Sequence, residues 1–395
     1  MAPVESVDDD DRWSELPEDI LEKIVSSLDV KSMVRVSSLT KSSRRLKKLW
    51  PPFYPSIAFD CDLYSHTDCS SFYSKLRHYT KLNKLELYNC SYRDRSGNVA
   101  RIIEFASTLN VHHIVFTALC CTIPKQMFSC TSFITLELKG CYFSPNDLRF
   151  PAVRTLRLEH CWILFRDKEC SSGRVDFRQE CPKLITLSLV ECIFIDTVSL
   201  QKVVRMIMGP DLVNLTVVAR ECIRSNPHQM EILAPGLEDF TLLHNSAYAR
   251  FPLVDFPALK HAVVDASKPN YPQEHQPEVC LSLCRFLQGL HNAEFISLSY
   301  SIIQPFIEID VNSCCFCKKT LAMVPGILED QPSPFRRLKS LTLKMISDLK
   351  HWQRQKKKKK KTAKVDKKHW QIPAEVVTYL LSGSPAGSAD LLIES

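Results

Sequence analysis

The sequence predicts a mixed α/β chain: a small helical module at the amino terminus, then an irregular repeat solenoid built on a curved parallel sheet. Three observations carry this. A short apolar pattern, LxxLxLxxC, keeps returning through the middle of the chain. Between some copies, apolar residues recur at helical spacing. Ahead of the first copy, three brief helical stripes occupy residues 13–50. With 395 residues, 45% hydrophobic and 24% charged, there is material for two or three domains of ordinary globular balance.

Composition removes several function classes. Nine glycines in 395 residues fall far below the roughly 7% of an average chain, and neither GxGxxG nor the P-loop pattern occurs. Enzymes that cradle phosphate on a glycine-rich loop are therefore disfavoured. No apolar run approaches the roughly 18 residues of a membrane span, and residues 1–13 are acidic where a secretory leader is basic and then apolar. The expected setting is soluble, nuclear or cytoplasmic, with no membrane partner. Seventeen cysteines are an odd number without an export signal, so reduced and mostly buried thiols are expected rather than a disulfide scaffold. The net charge of +7 is uneven. Lys350–Lys368 holds eleven Lys or Arg and one Asp, a net +10, which leaves −3 elsewhere.

The amino-terminal stripes are Leu16, Ile20, Leu21, Ile24 and Leu28; then Met33, Val34, Val36 and Leu39; then Leu46 and Leu49. Pro17, with Glu15 and Glu18 beside it, predicts a helix beginning there: proline presets the first turn, and acid suits the positive end of the helix dipole. Three helices in so short a stretch enclose little core, so such a unit leaves an apolar face for a partner.

The run Ser14-Glu15-Leu16-Pro17-Glu18-Asp19-Ile20-Leu21, with Ile24, Ser27-Leu28, Lys31, Val34-Arg35, Ser37-Ser38-Leu39, Lys41 and Arg44, resembles the F-box of plant F-box proteins with leucine-rich repeats. In that family the module binds the S-phase-kinase-associated adaptor, which links it to a cullin-based ubiquitin ligase. The resemblance implies adaptor-binding roles for Leu16, Pro17, Ile20, Leu21, Ile24, Leu28 and Val34. Asp29, Ser32 and Ser43 stand where relatives often carry Pro, Asp and Trp. Those departures motivate the alternative reading, a repeat interaction protein with a degenerate F-box.

The repeat is clearest at Leu82, Leu85, Leu87, Cys90; Phe133, Leu136, Leu138, Cys141; Val153, Leu156, Leu158, Cys161; and Leu184, Leu187, Leu189, Cys192. Looser copies begin at Val111, Leu212, Leu237, Leu259, Ala293 and Leu338. LxL puts two apolar side chains on one face of a short strand and the residue between them on the other. The cysteine then turns into the core at a tight bend. Helical spacing at Val99, Ile102, Ile103 and Phe105, at Leu200, Val203, Val204 and Ile207, and at Val279, Leu283, Phe286 and Leu287 predicts an outer layer alternating between helix and loop. This array resembles the irregular leucine-rich repeats that follow the F-box in plant proteins, where they select the substrate. The expected organisation is an acidic disordered segment (1–12), the F-box (13–55), the array (56–345), a lysine-rich disordered insertion (346–369) and a helix-strand cap (370–395).

The middle residues of LxL, Glu86, Glu137, Arg157, Ser188, Thr216 and Thr241, should line up on the concave face and are the candidate target-binding residues. Tyr88, Lys139 and Glu159 should flank them on the opposite side of LxL, at the strand ends. The plainer alternative is that any soluble solenoid needs such a polar face. Cys314 and Cys317 form a CxxC, with Cys280 and Cys284 upstream, but 29 residues separate the pairs, beyond the usual gap of about 15 to 20 for paired zinc knuckles. No HExxH or GxSxG pattern occurs. No metal, cofactor or catalytic residue is expected, and the predicted role is non-catalytic. The six lysines Lys356–Lys361 read as a solvated insertion, as a nuclear-import signal, or, least favoured, as a nucleic-acid contact, since no aromatic series interleaves them.

Overall fold

In a computed structural model the described residues are 16–27, 56–60, 82–91, 98–128, 130–144, 149–165, 174–196, 203–220, 229–245, 251–266, 276–307, 331–344, 372, 374–384 and 389–394. The expected segments 1–12 and 346–369, and Leu28, Val34, Cys314 and Cys317, lie outside them. The chain divides into two compact units, Met1–Tyr142 and Phe143–Ser395.

The first unit contains helix α1 (Glu18–Ser27), β1 (Ser56–Asp60), β2 (Lys84–Ser91), α2 (Asn98–Thr108), β3 (His113–Thr122) and β4 (Thr135–Phe143). Its strands pair in parallel in sequence order. Two apolar residues per strand explain the register. Ile57, Leu85, Ile114 and Leu136 form one ladder, and Phe59, Leu87, Phe116 and Leu138 the next. All eight are buried. Helix α2 covers them with Val99, Ile102, Ile103 and Ala106, at the helical spacing the sequence displays.

The second unit runs β5 (Thr155–Glu159), β6 (Trp162–Phe165), β7 (Arg174–Asp176), α3 (Phe177–Glu180), β8 (Thr186–Val190), β9 (Ile193–Asp196), β10 (Val203–Ile207) and β11 (Asn214–Arg220). It continues with β12 (Gln229–Leu233), β13 (Asp239–Asn245), β14 (Leu253–Asp255), β15 (His261–Ala266), α4 (Gln276–Gly289), β16 (Phe295–Ser299) and α5 (Tyr300–Ile307). Strand β17 (Ser340–Lys344), helix α6 (Ala374–Leu381) and β18 (Asp390–Glu394) close it. A parallel sheet takes β5, β8, β11, β13, β15, β16, β17 and β18 in that order. Each of the ten sequence windows coincides with a strand, and the first apolar residue of each window is buried.

Three local devices repeat at the joints. Before five strands stands a turn with proline second: Phe150-Pro151, Cys181-Pro182, Gly209-Pro210, Ala234-Pro235 and Phe256-Pro257. Each turn closes by a hydrogen bond from the fourth residue's N–H to the first residue's carbonyl, as in Leu184 to Cys181 and Leu237 to Ala234. Proline presets the φ that this turn position needs. In eight of the ten windows the second residue then couples neighbouring repeats through its carbonyl, which accepts two N–H groups at the start of the next strand; Val213 accepts from Glu238 and Asp239, and Glu238 from Lys260 and His261. Past the LxL segment, within β2 and β4 and just after β5 and β8, Asn89, Gly140, His160 and Glu191 take φ of 54°, 68°, 51° and 53°. Each directly precedes the motif cysteine. The thiols of Cys90, Cys141, Cys161 and Cys192 donate to the carbonyl two residues back, so cysteine closes the bend as well as filling space.

One expectation is corrected. Leu200–Ile207 is not helical where described: Val203–Ile207 is β10, held between β7 and β12 in a second parallel sheet, β7-β10-β12-β14. Val204, Met206 and Met208 are buried while Arg205 is exposed, a period of two. Two β-branched valines and pairing on both edges override a spacing that fits a helix at only four positions. The layer opposite the main sheet is therefore helix in places and sheet in others. Helix α4 buries Leu283, Phe286 and Leu287 of its predicted stripe together with Cys280 and Cys284, while Val279 is half-buried. Phe286 joins Phe240 and Phe251 at ring-centroid separations of 6.3 and 5.4 Å.

Candidate functional site

Helix α1 starts as its sequence requires. The Pro17 carbonyl accepts from Ile20 and Leu21 N–H at 3.2 and 3.0 Å, and Glu18 and Asp19 occupy the first turn. At about 100° per residue, Pro17, Ile20, Leu21 and Ile24 share one stripe. The structure divides that stripe. Leu21 is 1% exposed and Ile20 38%; Pro17 is exposed, while Leu16 and Ile24 are half-buried. One edge anchors the helix and the other faces outward.

The outward face of the strands carries the six candidate target residues. In the first unit Glu86 and Glu137 share a row with Val115 between them. Both carboxylates are engaged. Lys84 Nζ lies 2.5 Å from Glu86 Oε1, and this hydrogen-bonded pair raises the Lys84 pKa. Burial raises the Tyr88 pKa, with the Glu86 charge adding to it. His113 Nε2 is 3.1 Å from Glu137 Oε1.

In the second unit Arg157, Ser188, Thr216 and Thr241 occupy one continuous row, extended by Val263, Ser297 and Thr342. Arg157 reaches Glu159 Oε2 at 3.2 Å, and His160 Nδ1 reaches Glu191 Oε2 at 3.1 Å. The sequence expectation put Tyr88, Lys139 and Glu159 on the opposite side of LxL. Glu159 and Tyr88 instead share the face of Arg157 and Glu86 and touch them, because residues two apart on a strand point the same way.

Sequence reasoning missed two further rows on this face. Thr186, Asn214, Asp239, His261 and Phe295 precede the hydroxyl row by two residues. There His261 Nδ1 is 2.8 Å from Asp239 Oδ1, and its ring stacks on Phe295 at 5.1 Å. Val190, Val218, Leu243 and Asp265 follow it by two. Extending the alternation one step each way along the strands would have found both rows.

Among the described residues no group of three metal-binding side chains comes together, and no helix is long and apolar enough to cross a membrane. Cys280 and Cys284 are buried on α4.

Residues 13–51 match the F-box domain family model. The chain is 27% identical to F-box/LRR-repeat protein 25 of Arabidopsis thaliana over 248 residues, covering 61% of this chain and 89% of that protein. An Arabidopsis F-box/FBD/LRR-repeat protein is 29% identical over 196 residues, 45% of this chain and 40% of the relative. Another Arabidopsis F-box/LRR-repeat protein aligns over 353 residues at 22% identity, 85% of this chain and 67% of its own length. The amino-terminal match, the leucine-patterned parallel strands and these relatives together make the chain similar to plant F-box proteins with leucine-rich repeats.

Proposed function

We propose that the chain is the non-catalytic substrate-recognition subunit of an SCF-type cullin ubiquitin ligase. Residues 13–55 hold the S-phase-kinase-associated adaptor, the strands of residues 56–345 hold a target protein, and residues 370–395 close the array. The observation that carries this reading is the F-box match over residues 13–51, on a helix with Leu21 buried and Pro17 and Ile20 turned outward. A subunit of this kind contributes proximity: it holds two proteins together while other subunits supply the transfer chemistry. The protein is nuclear or cytoplasmic in this reading, with Lys356–Lys361 a solvated insertion or, as the alternative, an import signal.

Co-purification from plant extract tests it. Tagged full-length chain should bring down adaptor and cullin, and Leu16→Ala with Pro17→Ala should lose both. If neither protein co-purifies with the parent chain, the ligase reading fails and the degenerate F-box reading takes its place.

A further inference from the structure

Resting on the reading that the outward face holds the target, we infer the class of segment that the second unit takes. It is an extended peptide with two aliphatic residues two positions apart, followed two positions later on the same side by a lysine or arginine.

Three aliphatic side chains lie in register on neighbouring strands: Val190 of β8, Val218 of β11 and Leu243 of β13. All face outward, and Leu243 is 37% exposed. Parallel strands stand about 4.8 Å apart, so this row is about 10 Å long. Beside it run the hydroxyls of Ser188, Thr216 and Thr241, which can donate to or accept from the backbone of a chain laid across the strands.

The row ends on an acid. Asp265 of β15 is next in register after Leu243. Its Oδ1 is closed to solvent and receives no hydrogen bond, and Ser297 Oγ on the adjacent strand is in the same condition. A shielded carboxylate oxygen without a donor is costly to leave unmade. At the other end the acids already have partners: Glu159 has Arg157, and Glu191 has His160. Asp265 is half-buried and ends this row in register, so its carboxylate charge favours an incoming cation there.

Spacing fixes the pattern. Same-side residues of an extended peptide recur about every 6.8 Å, so two cover the row and the third arrives about 14 Å from the first. Three strand intervals from Val190 to Asp265 are also about 14 Å. The occupant therefore reads aliphatic-x-aliphatic-x-basic, in either chain direction. An acidic residue at the third position would meet Asp265 with like charge, and a neutral apolar one would leave it unmatched.

Panning a displayed library of random peptides against the full chain tests this. Enrichment of the aliphatic-x-aliphatic-x-basic pattern is the expected result. A synthetic enriched peptide should bind at least about tenfold more weakly to Leu243→Asp and to Asp265→Asn, the second a nearly isosteric variant whose unchanged thermal unfolding certifies the fold. Asp265→Lys should move the preference at the third position to Asp or Glu. No enrichment, enrichment indifferent to a basic residue, or an Asp265→Lys preference identical to the parent's overturns the inference. Peptides lost on Thr216→Arg but indifferent to Leu243 and Asp265 overturn it while leaving the outward face as the target site. Peptides indifferent to all three overturn both.

Discussion

Two adjacent residues of α1 should respond oppositely to truncation. Leu21 is 1% exposed and Ile20 38%. Leu21→Ala deletes atoms already packed in the free chain, and changes of this kind cost about 2–5 kcal/mol of stability. Ile20→Ala acts mainly on docking. Full burial of an isoleucine contributes about 1.5–3 kcal/mol, so the open share of Ile20 contributes about 0.6–1.1 kcal/mol when the adaptor covers it. At 1.4 kcal/mol per tenfold that is about three- to sevenfold in Kd, and adding Pro17→Ala should bring the loss to about tenfold. Calorimetry with purified adaptor reads the affinity, and thermal unfolding of the same preparations reads the stability. Ile20→Ala should bind more weakly and melt later than Leu21→Ala, since only part of its side chain is packed in the free chain; Leu21→Ala should melt earliest and, while folded, bind nearly as well. An Ile20→Ala chain with parental Kd, or a Leu21→Ala chain that melts normally yet binds tenfold more weakly, would refute this division of the helix.

Gly140 has φ of 68°, and a Cβ there would overlap the Ala118 carbonyl oxygen; the left-handed conformation alone costs an alanine about 1–2 kcal/mol, so Gly140→Ala should lower Tm, and an unchanged Tm refutes the strain. Asp176 is held down to about 2, chiefly by its hydrogen bonds with Arg178 and then Arg174. A depressed folded-state pKa contributes stability above the unfolded value of about 3.8 that is lost as pH falls through about 2. Both arginines are nearly half exposed, so after allowing for solvent screening Asp176→Asn should cost about 1–2 kcal/mol at pH 7. The gap from the parent in denaturant titrations should close between pH 4 and 2; a gap constant with pH argues against the ion pairs. Burial pushes the Cys181 and Cys280 thiols up to about 12, so iodoacetamide at pH 8 should label them only after unfolding, and fast labelling of the native chain contradicts their burial.

The strands were legible because the signal lies in the residues that make them. Leu85 and Leu87, or Leu187 and Leu189, alternate on a period of two and bury on one side. The first strand, Ser56–Asp60, escaped because only Ile57 and Phe59 mark it, with no leucine ahead and no cysteine behind. The proline turns were present in the sequence at Pro151, Pro182, Pro210, Pro235 and Pro257, two residues before a window's first apolar residue. They were legible in hindsight from spacing alone. The left-handed bend was only half legible. Asn89, Gly140 and His160 are residue types that take this conformation more readily, but Glu191 is not; the His160 and Glu191 backbones are held by N–H bonds to the Val190 and Val218 carbonyls of the next strand, a tertiary cause. Strand β10 was misread for the same kind of reason: its neighbours β7 and β12 come from distant sequence.

The site was harder to read than the fold because inward and outward residues do different physical work. Changing Leu189 disturbs packing through several repeats, whereas changing Ser188 or Val190 alters only the surface offered to a partner, so the repeat pattern leaves the outward rows unconstrained. Charge alone then misleads. Glu86 and Glu137, conspicuous in sequence, are already paired with Lys84 and His113, and a partner must displace those contacts before gaining its own. Exposed pairs exchange at little net gain, about 0–1 kcal/mol. Val190, Val218 and Leu243 have only water to lose, and each Å² they bury contributes about 25 cal/mol without breaking anything first. Docking energy should therefore concentrate on the aliphatic row of the second unit. The charged row of the first unit is better placed to reject mismatched partners than to hold the right one.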